Sequence, residues 1–532
     1  MRATVSLLLL LASAVASAQD RAASLYSTAI AFDQDNVPVV TVGLMEEQRS
    51  IAIETKGPLR ILPDGPRGAE LVTGGGRRWT AHVEGGRPAR TTWRVQVAAL
   101  GAGDLEAIQA ERKLWRERQV VVTTFELGSV FGFFGKVLDN RRVVVATETK
   151  YPTREAAETA ATTLAAAHGV ETSVLPVLEE RSHGTVVLTD GEATVRTDDV
   201  VWLEAATAGE TVTVKDVEFG KGFPWHGRED RRYRGMLYLA VDRTGQLAVV
   251  NRVPSEVLLR GLVPAEIYPT APAAALQAQA VSARGELLAK LGHRHLADPY
   301  LICGDVHCQV YAGVHKEDSR TDRAVESTRG EMLFEAGTLV DTVYSACCGG
   351  HTEHNDNVWP GAPQRTLRGH PDGDVVLGTP TEAAVRAWVT SRPKAYCGQT
   401  AFAKDSFRWT KVVPVEALRQ TVKARHQDPG VIRTVKVTKR GVSGRALVAE
   451  VKGDDRTVTL EGELTIRKAF GGLKSALFVV DADPGAFRFT GGGFGHGVGL
   501  CQTGAIGMSE QGSGYKAILE HYFQGATVER IY

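Results

Sequence analysis

Short runs rich in β-branched residues, separated by glycine and proline turn signals, constrain the fold of this chain most. Early examples are Val39–Leu44, Ser50–Glu54 and Trp79–Val83, with Pro63-Asp64-Gly65 and Gly74-Gly75-Gly76 lying between them. Runs of this kind are typical of strands joined by tight turns, and the 56 glycines of the chain agree with many such turns. We therefore predict a multi-domain, β-rich α+β protein.

A strand–helix–strand pattern occurs twice between residues 91 and 178. The predicted elements, in order, are Val95–Ala99, Asp104–Arg116, Val120–Phe125, Arg142–Ala146, Thr153–Ala167 and Val170–Val174. Thr153 suits the N-cap of the second helix, because a threonine hydroxyl can accept a hydrogen bond from a free backbone N–H there. The pattern predicts a small βαββαβ domain upstream of the C-terminal half.

The N-terminus has the organisation of a secretory signal peptide, which we expect to span residues 1–18. Arg2 supplies the positive charge, Leu7–Leu11 the apolar centre, and Ala16-Ser17-Ala18 the cleavage site. No later segment approaches the roughly 18–20 uninterrupted apolar residues that a membrane span needs. The sequence thus predicts export to the periplasm or cell-wall space, without a transmembrane segment.

Charge and motif content exclude several classes of function. The 62 basic residues equal the 62 acidic residues, so no net field favours nucleic acid or an anionic membrane. The sequence also lacks a Walker A loop, an H-E-x-x-H helix and a G-x-S-x-G elbow. We expect no nucleic acid as a partner.

Glu266 is the candidate catalytic residue. It lies in an apolar, Pro-bounded segment that we predict to be a loop, after a strand-like run at Val257–Leu262. An Ala-rich helix is expected to begin near Thr270, with that residue as its N-cap and Gly292 as its stop. Apolar neighbours disfavour a charged carboxylate, so we expect a raised pKa that suits a general acid. The alternative is a solvated loop residue, since most glutamates are exposed.

A second cluster combines two histidines and two cysteines, the ligand types that zinc prefers. Its members are His295, Cys303, His307 and Cys308. They suit a structural Cys2His2 site, and we expect no cofactor that catalysis requires. A Cys303–Cys308 disulfide is the competing interpretation, because an exported chain with six cysteines permits disulfides. The sequence leaves both open.

The third notable segment, Gly491–Ala505, is a glycine run around His496. Glycine lets another chain approach the backbone closely, so the run suits contact with a polymer. It lacks the strand–turn–helix context and the later acidic residue of a dinucleotide-binding loop.

These segments together resemble the SpoIID/LytB family of bacterial cell-wall proteins. The matching stretches are LVPAEIYP with ALQAQAVSAR, CGDVHCQVYAG, YSACCGGHTEHNDNVWPG and GGGFGHGVGLCQTGA. The resemblance implies a lytic transglycosylase in which Glu266 is the general acid and base. One carboxylate suffices for that reaction, because the C6 hydroxyl of the same muramic acid ring is the nucleophile. Some family members are instead described as enhancers of cell-wall amidases.

The resemblance also implies which residues contact the glycan strand. They are Arg284, Gln309, Tyr311, Ser345, Thr352, Glu353, Trp359, His496 and Gln502. Some relatives hold zinc in the Cys303–Cys308 segment. Residues 91–178 are similar to a SPOR domain, a module that binds glycan strands stripped of their stem peptides.

These expectations divide the chain into five regions and name its partners. The regions are the signal peptide (1–18), a short β-rich region (19–90), the SPOR-like domain (91–178), a β-rich connecting region (179–230) and the SpoIID/LytB-like domain (231–532) with a β insertion near 375–490. The implied partners are peptidoglycan glycan strands and, for an enhancer, a cell-wall amidase.

Overall fold

The computed structural model describes residues 22–133, 136–221, 226–305, 307–359 and 361–532. The predicted signal peptide lies outside these residues. The chain divides into two compact units. The first comprises the chain up to Glu266 together with Leu287–Asp318 and Tyr532, and the second comprises Ile267–Glu286 with Ser319–Ile531.

Two sheets form most of the first unit. The eight-stranded sheet has the order Ala31–Phe32, Pro38–Gln48, Leu247–Pro254, Met236–Val241, Val200–Ala205, Leu59–Leu62 and Leu71–Val72, and Ile302–Cys303 pairs in parallel with Pro38–Gln48. The six-stranded sheet has the order Thr194–Asp198, His183–Thr189, Arg78–Arg87, Ile51–Thr55, Val212–Phe219 and Gly227–Tyr233. Their central strands carry buried aliphatic residues, as expected where a sheet covers a core. The predicted strands of residues 19–90 are confirmed.

The predicted βαββαβ elements are also present in the first unit. The sheet has the order Ser173–Glu180, Arg90–Gly101, Arg142–Thr147 and Val122–Leu127, the helices are Leu105–Glu117 and Arg154–His168, and a hairpin pairs Val130–Phe133 with Lys136–Asp139. Thr153 is the N-cap, because its hydroxyl accepts the Ala156 N–H. Gly169 ends the helix with φ of 63°, a left-handed conformation that glycine adopts readily. Two 3-10 turns complete the unit, Ala23–Tyr26 and Gly313–Lys316.

The segment before Glu266 differs from the sequence-based expectation. Val257–Leu262 is not a strand but belongs to the helix Ser255–Glu266, and Glu266 ends that helix instead of lying in a loop. A short apolar run fits a buried helix and a buried strand equally well. The next helix, Ala273–Lys290, begins three residues after Thr270, so Thr270 is not its N-cap. The backbone carbonyl of Pro272 accepts the N–H groups of Ala275 and Leu276 instead.

The second unit contains small sheets and short helices. Its strands are Glu331–Glu335, Thr338–Leu339 and Thr527–Arg530; Tyr344–Ser345 and Leu500–Cys501; Trp409–Pro414, Phe478–Asp483 and Ala486–Gly491; and Ile432–Arg440, Ala446–Gly453 and Thr457–Glu461. Its helices are Ser319–Ser327, Glu382–Thr390, Tyr396–Gln399, Val415–Lys423, Glu463–Ala469, Gln502–Glu510 and Tyr515–Tyr522, with 3-10 turns at Asn355–Asn357, Arg365–Leu367 and Ala401–Ala403.

The antiparallel strands expected between residues 375 and 490 are confirmed, and they enclose an aromatic core. Phe470, Phe478 and Phe489 are fully buried, and their ring centroids lie 5.1–5.8 Å apart. Aromatic pairs at such spacing add stability beyond the area they bury. Among the described residues, no helix combines the length and apolar character needed to cross a membrane.

Candidate functional site

Glu266 is the last residue of the helix Ser255–Glu266 and is partly buried. Val263 and Pro264, shortly before it in the helix, are buried apolar residues. One carboxylate oxygen, Oε1, accepts the backbone N–H of Val310 at 3.0 Å. Glu266 is thus held by a backbone donor at the end of its helix.

Val310 follows closely on the predicted metal cluster, whose four members the structure brings together. One ligand atom from each of His295, Cys303, His307 and Cys308 lies within 4.8 Å of the others. The Nδ1 atom of His307 lies 3.7 Å from Cys303 Sγ and 3.6 Å from Cys308 Sγ. Tetrahedral Zn²⁺ with bonds of roughly 2.0–2.3 Å needs ligand separations of about 3.4–3.8 Å. These donors therefore fit zinc.

Surrounding groups orient the ligands of this cluster. Asp298 lies 2.9 Å from Nδ1 of His295, leaving Nε2 directed at Cys308 Sγ at 3.3 Å. Burial opposes the charged imidazole, but the hydrogen bonds with Asp298 and Cys308 raise the pKa of His295 to about 9. Hydrogen bonds from Cys303, His295 and His307 lower the pKa of the Cys308 thiol. Carboxylate–histidine pairs of this kind commonly support metal-bound imidazoles.

Metal ions have a path to the cluster. His295, Cys303 and His307 line a cavity of about 260 Å³, together with the charged side chains of Glu46 and Arg231. An entry path is one requirement of a metal site that forms in a folded protein.

Gln309 and Tyr311 do not form an open binding surface. Both are buried, and the Tyr311 hydroxyl donates to Asn251 Oδ1 at 3.0 Å. Burial raises the pKa of the Tyr311 phenol. The hydroxyl of Tyr311 is therefore used inside the first unit, and its contact with glycan stays a prediction.

His496 is held in one tautomer within the second unit. Its Nε2 lies 2.9 Å from the carbonyl oxygen of Tyr344, and its Nδ1 accepts the Val498 N–H at 3.1 Å. Because a carbonyl can only accept, Nε2 carries the proton and the ring is neutral. The Trp359 ring centroid lies 4.7 Å from that of His496, and Trp359 is 39% exposed. His496 therefore supports an exposed aromatic surface.

The glycines around His496 accommodate the protein's own chain. A Cβ at Gly497 would lie 2.3 Å from the guanidinium carbon of Arg445, and one at Gly499 would lie 2.2 Å from the Val343 carbonyl oxygen. Both glycines have φ near +70° to +80°. Our interpretation that the glycine run exists for polymer contact is corrected accordingly. Arg445, which the sequence did not single out, is fully buried and donates to the carbonyls of His351 and Cys348.

Next to this segment lie buried polar atoms that no protein group satisfies. Gln502 Nε2 donates to Gln279 Oε1 at 3.2 Å. Gln279 Nε2 and Ser345 Oγ, however, have no hydrogen-bond partner within the part of the chain that the structure describes. Buried polar groups are normally paired, often with ordered water. The Gln279–Gln502 bond joins the helix Ala273–Lys290 to the helix Gln502–Glu510.

Glu353 is a fully buried carboxylate whose two oxygens are both used. Oε1 accepts hydrogen bonds from the N–H groups of His354, Asn357 and Val442. Oε2 accepts both the backbone N–H and the hydroxyl of Ser443. These bonds join the loop after residue 350 to the turn near Ser443. Glu353 thus organises this loop, and its contact with substrate stays a prediction.

Arg284 and Thr352 are likewise buried among protein partners. The Arg284 guanidinium is fully buried and donates to the backbone carbonyls of Glu331 and Val325. Thr352 Oγ1 accepts the His370 N–H and is 1% exposed. The printed partners of both side chains are backbone groups of the second unit, and their contact with glycan stays a prediction.

Comparisons with known proteins match both halves of the C-terminal region. Residues 243–334 match the family model described as "Stage II sporulation protein", and residues 353–499 match a "Domain of unknown function (DUF8618)". The first range contains Glu266 and the metal cluster, and the second contains Glu353, Trp359 and His496.

Curated relatives agree with the first match. An uncharacterized protein of Brachyspira hyodysenteriae is 28% identical over 58% of this chain and 74% of its own length. The amidase enhancer of Bacillus subtilis is 26% identical over 51% of this chain, but only 40% of its own length is covered. Stage II sporulation protein D of Bacillus amyloliquefaciens is 26% identical over 57% of this chain and 81% of its own length.

Proposed function

The chain belongs to the SpoIID/LytB family, and on that premise we propose that it is an exported lytic transglycosylase that cleaves peptidoglycan glycan strands. The preferred strands are those from which stem peptides have been removed. Relatives named for sporulation and for amidase enhancement support a role at the cell wall. The chemistry rests on the residues described above.

The placement of Glu266 carries this proposal. Glu266 is partly buried at the end of a helix whose preceding residues are apolar. The Val310 N–H at 3.0 Å fixes Oε1 and would stabilise the carboxylate that remains after proton transfer. A carboxyl group held in this way suits a residue that gives a proton and later takes one back.

In the proposed reaction, Glu266 transfers its proton to the glycosidic oxygen as the bond from C1 of the muramic acid residue breaks. The C6 hydroxyl of the same ring then attacks C1, and Glu266 accepts the hydroxyl proton. The products are a free 4-hydroxyl end and a 1,6-anhydro-muramyl end, and the carboxyl group is regenerated. Hydrolysis by a pair of carboxylates would instead need a second acidic residue.

The metal cluster contributes indirectly in this proposal. His295, Cys303, His307 and Cys308 would hold Zn²⁺, which supplies a structural cross-link. Cys308 lies two residues before Val310, whose N–H binds Glu266. Fixing Cys308 thus limits the movement of the segment that orients the acid.

The second unit supplies candidate contacts to sugar. Trp359 offers an exposed ring that can stack on a pyranose face. In this scheme His496 orients Trp359.

The test compares wild type, Glu266→Gln and Glu106→Gln on purified glycan strands freed of stem peptides. Glu106 is an exposed glutamate of the first unit and serves as the matched control. Mass spectrometry should detect 1,6-anhydro-muramyl ends with wild type and Glu106→Gln, while Glu266→Gln binds strands without cleaving them. Cleavage that persists in Glu266→Gln would refute the assignment of the acid.

A second candidate function is a non-catalytic enhancer of a cell-wall amidase, favoured by the similarity to the amidase enhancer of B. subtilis. It predicts strand binding without cleavage by wild type. It also predicts that wild type and Glu266→Gln stimulate an amidase equally. The same protein preparations therefore distinguish the two functions.

A further inference from the structure

Four buried donor groups meet in the second unit, and none of them belongs to the cluster of His295, Cys303, His307 and Cys308. One ligand atom from each of Cys348, Asp372, Cys397 and Cys501 lies within 4.8 Å of the others, and all four residues are fully buried. They come from separate segments: Cys397 lies in the helix Tyr396–Gln399, and Cys501 is the N-cap of the helix Gln502–Glu510. The fold has therefore gathered them from distant positions.

The spacing of the sulfur atoms agrees with a shared metal. Cys348 Sγ and Cys397 Sγ are 3.7 Å apart. Two thiolates bound to one tetrahedral Zn²⁺ at about 2.3 Å are separated by about 3.8 Å, whereas a disulfide requires about 2.05 Å. A disulfide between these two cysteines would also leave the Cys501 thiol and the Asp372 carboxylate buried beside it.

Neighbouring groups already support anionic ligands. Cys501 Sγ accepts the N–H of Cys348 at 3.1 Å and that of Gly504 at 3.3 Å, and the second donor belongs to a helix N-terminus, which stabilises thiolates. Asp372 Oδ2 accepts the Cys397 N–H at 2.9 Å, and Oδ1 accepts the Tyr522 hydroxyl. Such outer hydrogen bonds orient metal ligands.

A bound cation would offset part of the negative charge that ionised ligands bring to this interior. An ionised carboxylate is costly to bury unless it is paired or binds a metal. Gly504 leaves room for the arrangement, since a Cβ there would lie 2.7 Å from Asp372 Oδ1 and 1.9 Å from the Tyr522 hydroxyl. The guanidinium of Arg408 interacts electrostatically with Cys397 and Cys348, which offsets part of the negative charge of the ligands.

We propose that Cys348, Asp372, Cys397 and Cys501 form a second, structural zinc site, independent of the cluster at His295–Cys308 and of the proposed catalysis. Binding converts three thiols to thiolates, so three protons leave as three Zn–S bonds form, and the fourth bond comes from the carboxylate. All four positions are filled by protein, as in a closed structural site. The metal would join the loops at Cys348 and Asp372 to the segment at Cys501.

The test measures zinc by mass spectrometry of the full chain, purified without chelator from zinc-supplemented culture. Cys303→Ser/Cys308→Ser removes the first cluster and should retain one zinc per chain. Adding Cys397→Ser should reduce this to none. Adding Cys347→Ser, which changes an equally buried neighbour outside the ligand set, should leave the zinc in place. X-ray absorption of the double variant should show three sulfur ligands and one oxygen ligand.

A double variant that folds without zinc would overturn the proposal. A second measurement uses wild type alone and does not depend on how the variants fold. The protein is unfolded in alkylating, non-reducing buffer and its peptides are weighed. Alkylated Cys348, Cys397 and Cys501 support the metal site, and any disulfide among these three overturns it.

Discussion

The buried carboxylate of Glu353 provides a sharp test of whether a family-signature residue binds substrate or holds the fold. Glu353→Gln keeps the size of the side chain but removes its charge and one acceptor oxygen. If the remaining oxygen faces His354, Asn357 and Val442, the new amide faces Ser443, whose backbone N–H loses its acceptor. The Ser443 hydroxyl can rotate and accept instead.

The expected magnitude follows from these bonds. An unsatisfied buried donor costs about 1–3 kcal/mol, and hydrogen bonds to a charged group contribute about 1.5–3 kcal/mol each before their partial replacement. We expect Glu353→Gln to destabilise the second unit by about 2–4 kcal/mol. For a unit of this size, that corresponds to a decrease in Tm on the order of 10 °C.

The assay combines calorimetry with glycan-strand binding at a temperature where both proteins are folded. Glu450→Gln, at an exposed strand position of the same unit, is the control and should change stability by less than about 0.5 kcal/mol. Strand affinity of folded Glu353→Gln should equal that of wild type. An unchanged Tm with weakened strand binding would show that Glu353 contacts glycan and would refute the reasoning.

Further outcomes follow from other contacts. Gly497→Ala should lower the free energy of unfolding, measured with denaturant, by about 2–5 kcal/mol, because of its positive φ and the clash with Arg445. Gly472→Ala is the control: its φ is also positive, but a Cβ there would meet open space, so it should lower the same free energy by about 1 kcal/mol. Trp359→Ala should weaken strand binding about threefold to tenfold in equilibrium titrations, and unchanged affinity would exclude stacking on sugar. Burial lowers the pKa of His351 below 6.5 in the folded protein. The unfolded chain therefore takes up a proton first as the pH drops below that value, and the folded state loses stability. His351→Gln should make the decrease of Tm with falling pH less steep than in wild type, and an equally steep decrease would contradict this.

Local signals explain which parts of the fold were predictable. The helix after Thr153 was predictable because its N-cap and apolar stripe lie within one short stretch. The helix ending at Glu266 was mistaken for a strand and a loop because its apolar run is short and contains Pro264, which normally disfavours a helix interior. The spacing of apolar residues cannot distinguish a helix from a strand in so short a run.

Whether a site could be predicted also depended on how close together its residues lie in the sequence. The cluster of His295 and Cys308 was predictable because its ligands lie within 14 residues, where spacing alone limits how far apart they can be. Glu353 gave no such signal, because its burial depends on Ser443, 90 residues away. A motif shows that a residue matters without showing whether its partner is a substrate or another part of the chain.

Each metal cluster includes a cysteine that lies one or two residues before a residue with a hydrogen bond to a signature side chain. In the first unit, Cys308 lies two residues before Val310, which binds Glu266. In the second, Cys501 directly precedes Gln502, which binds Gln279. A metal at either cluster would add a restraint to the segment that carries the hydrogen bond. If both sites bind zinc, chelation should therefore slow strand cleavage through the first unit and weaken strand binding through the second, and the two effects should separate in variants that lack one cluster.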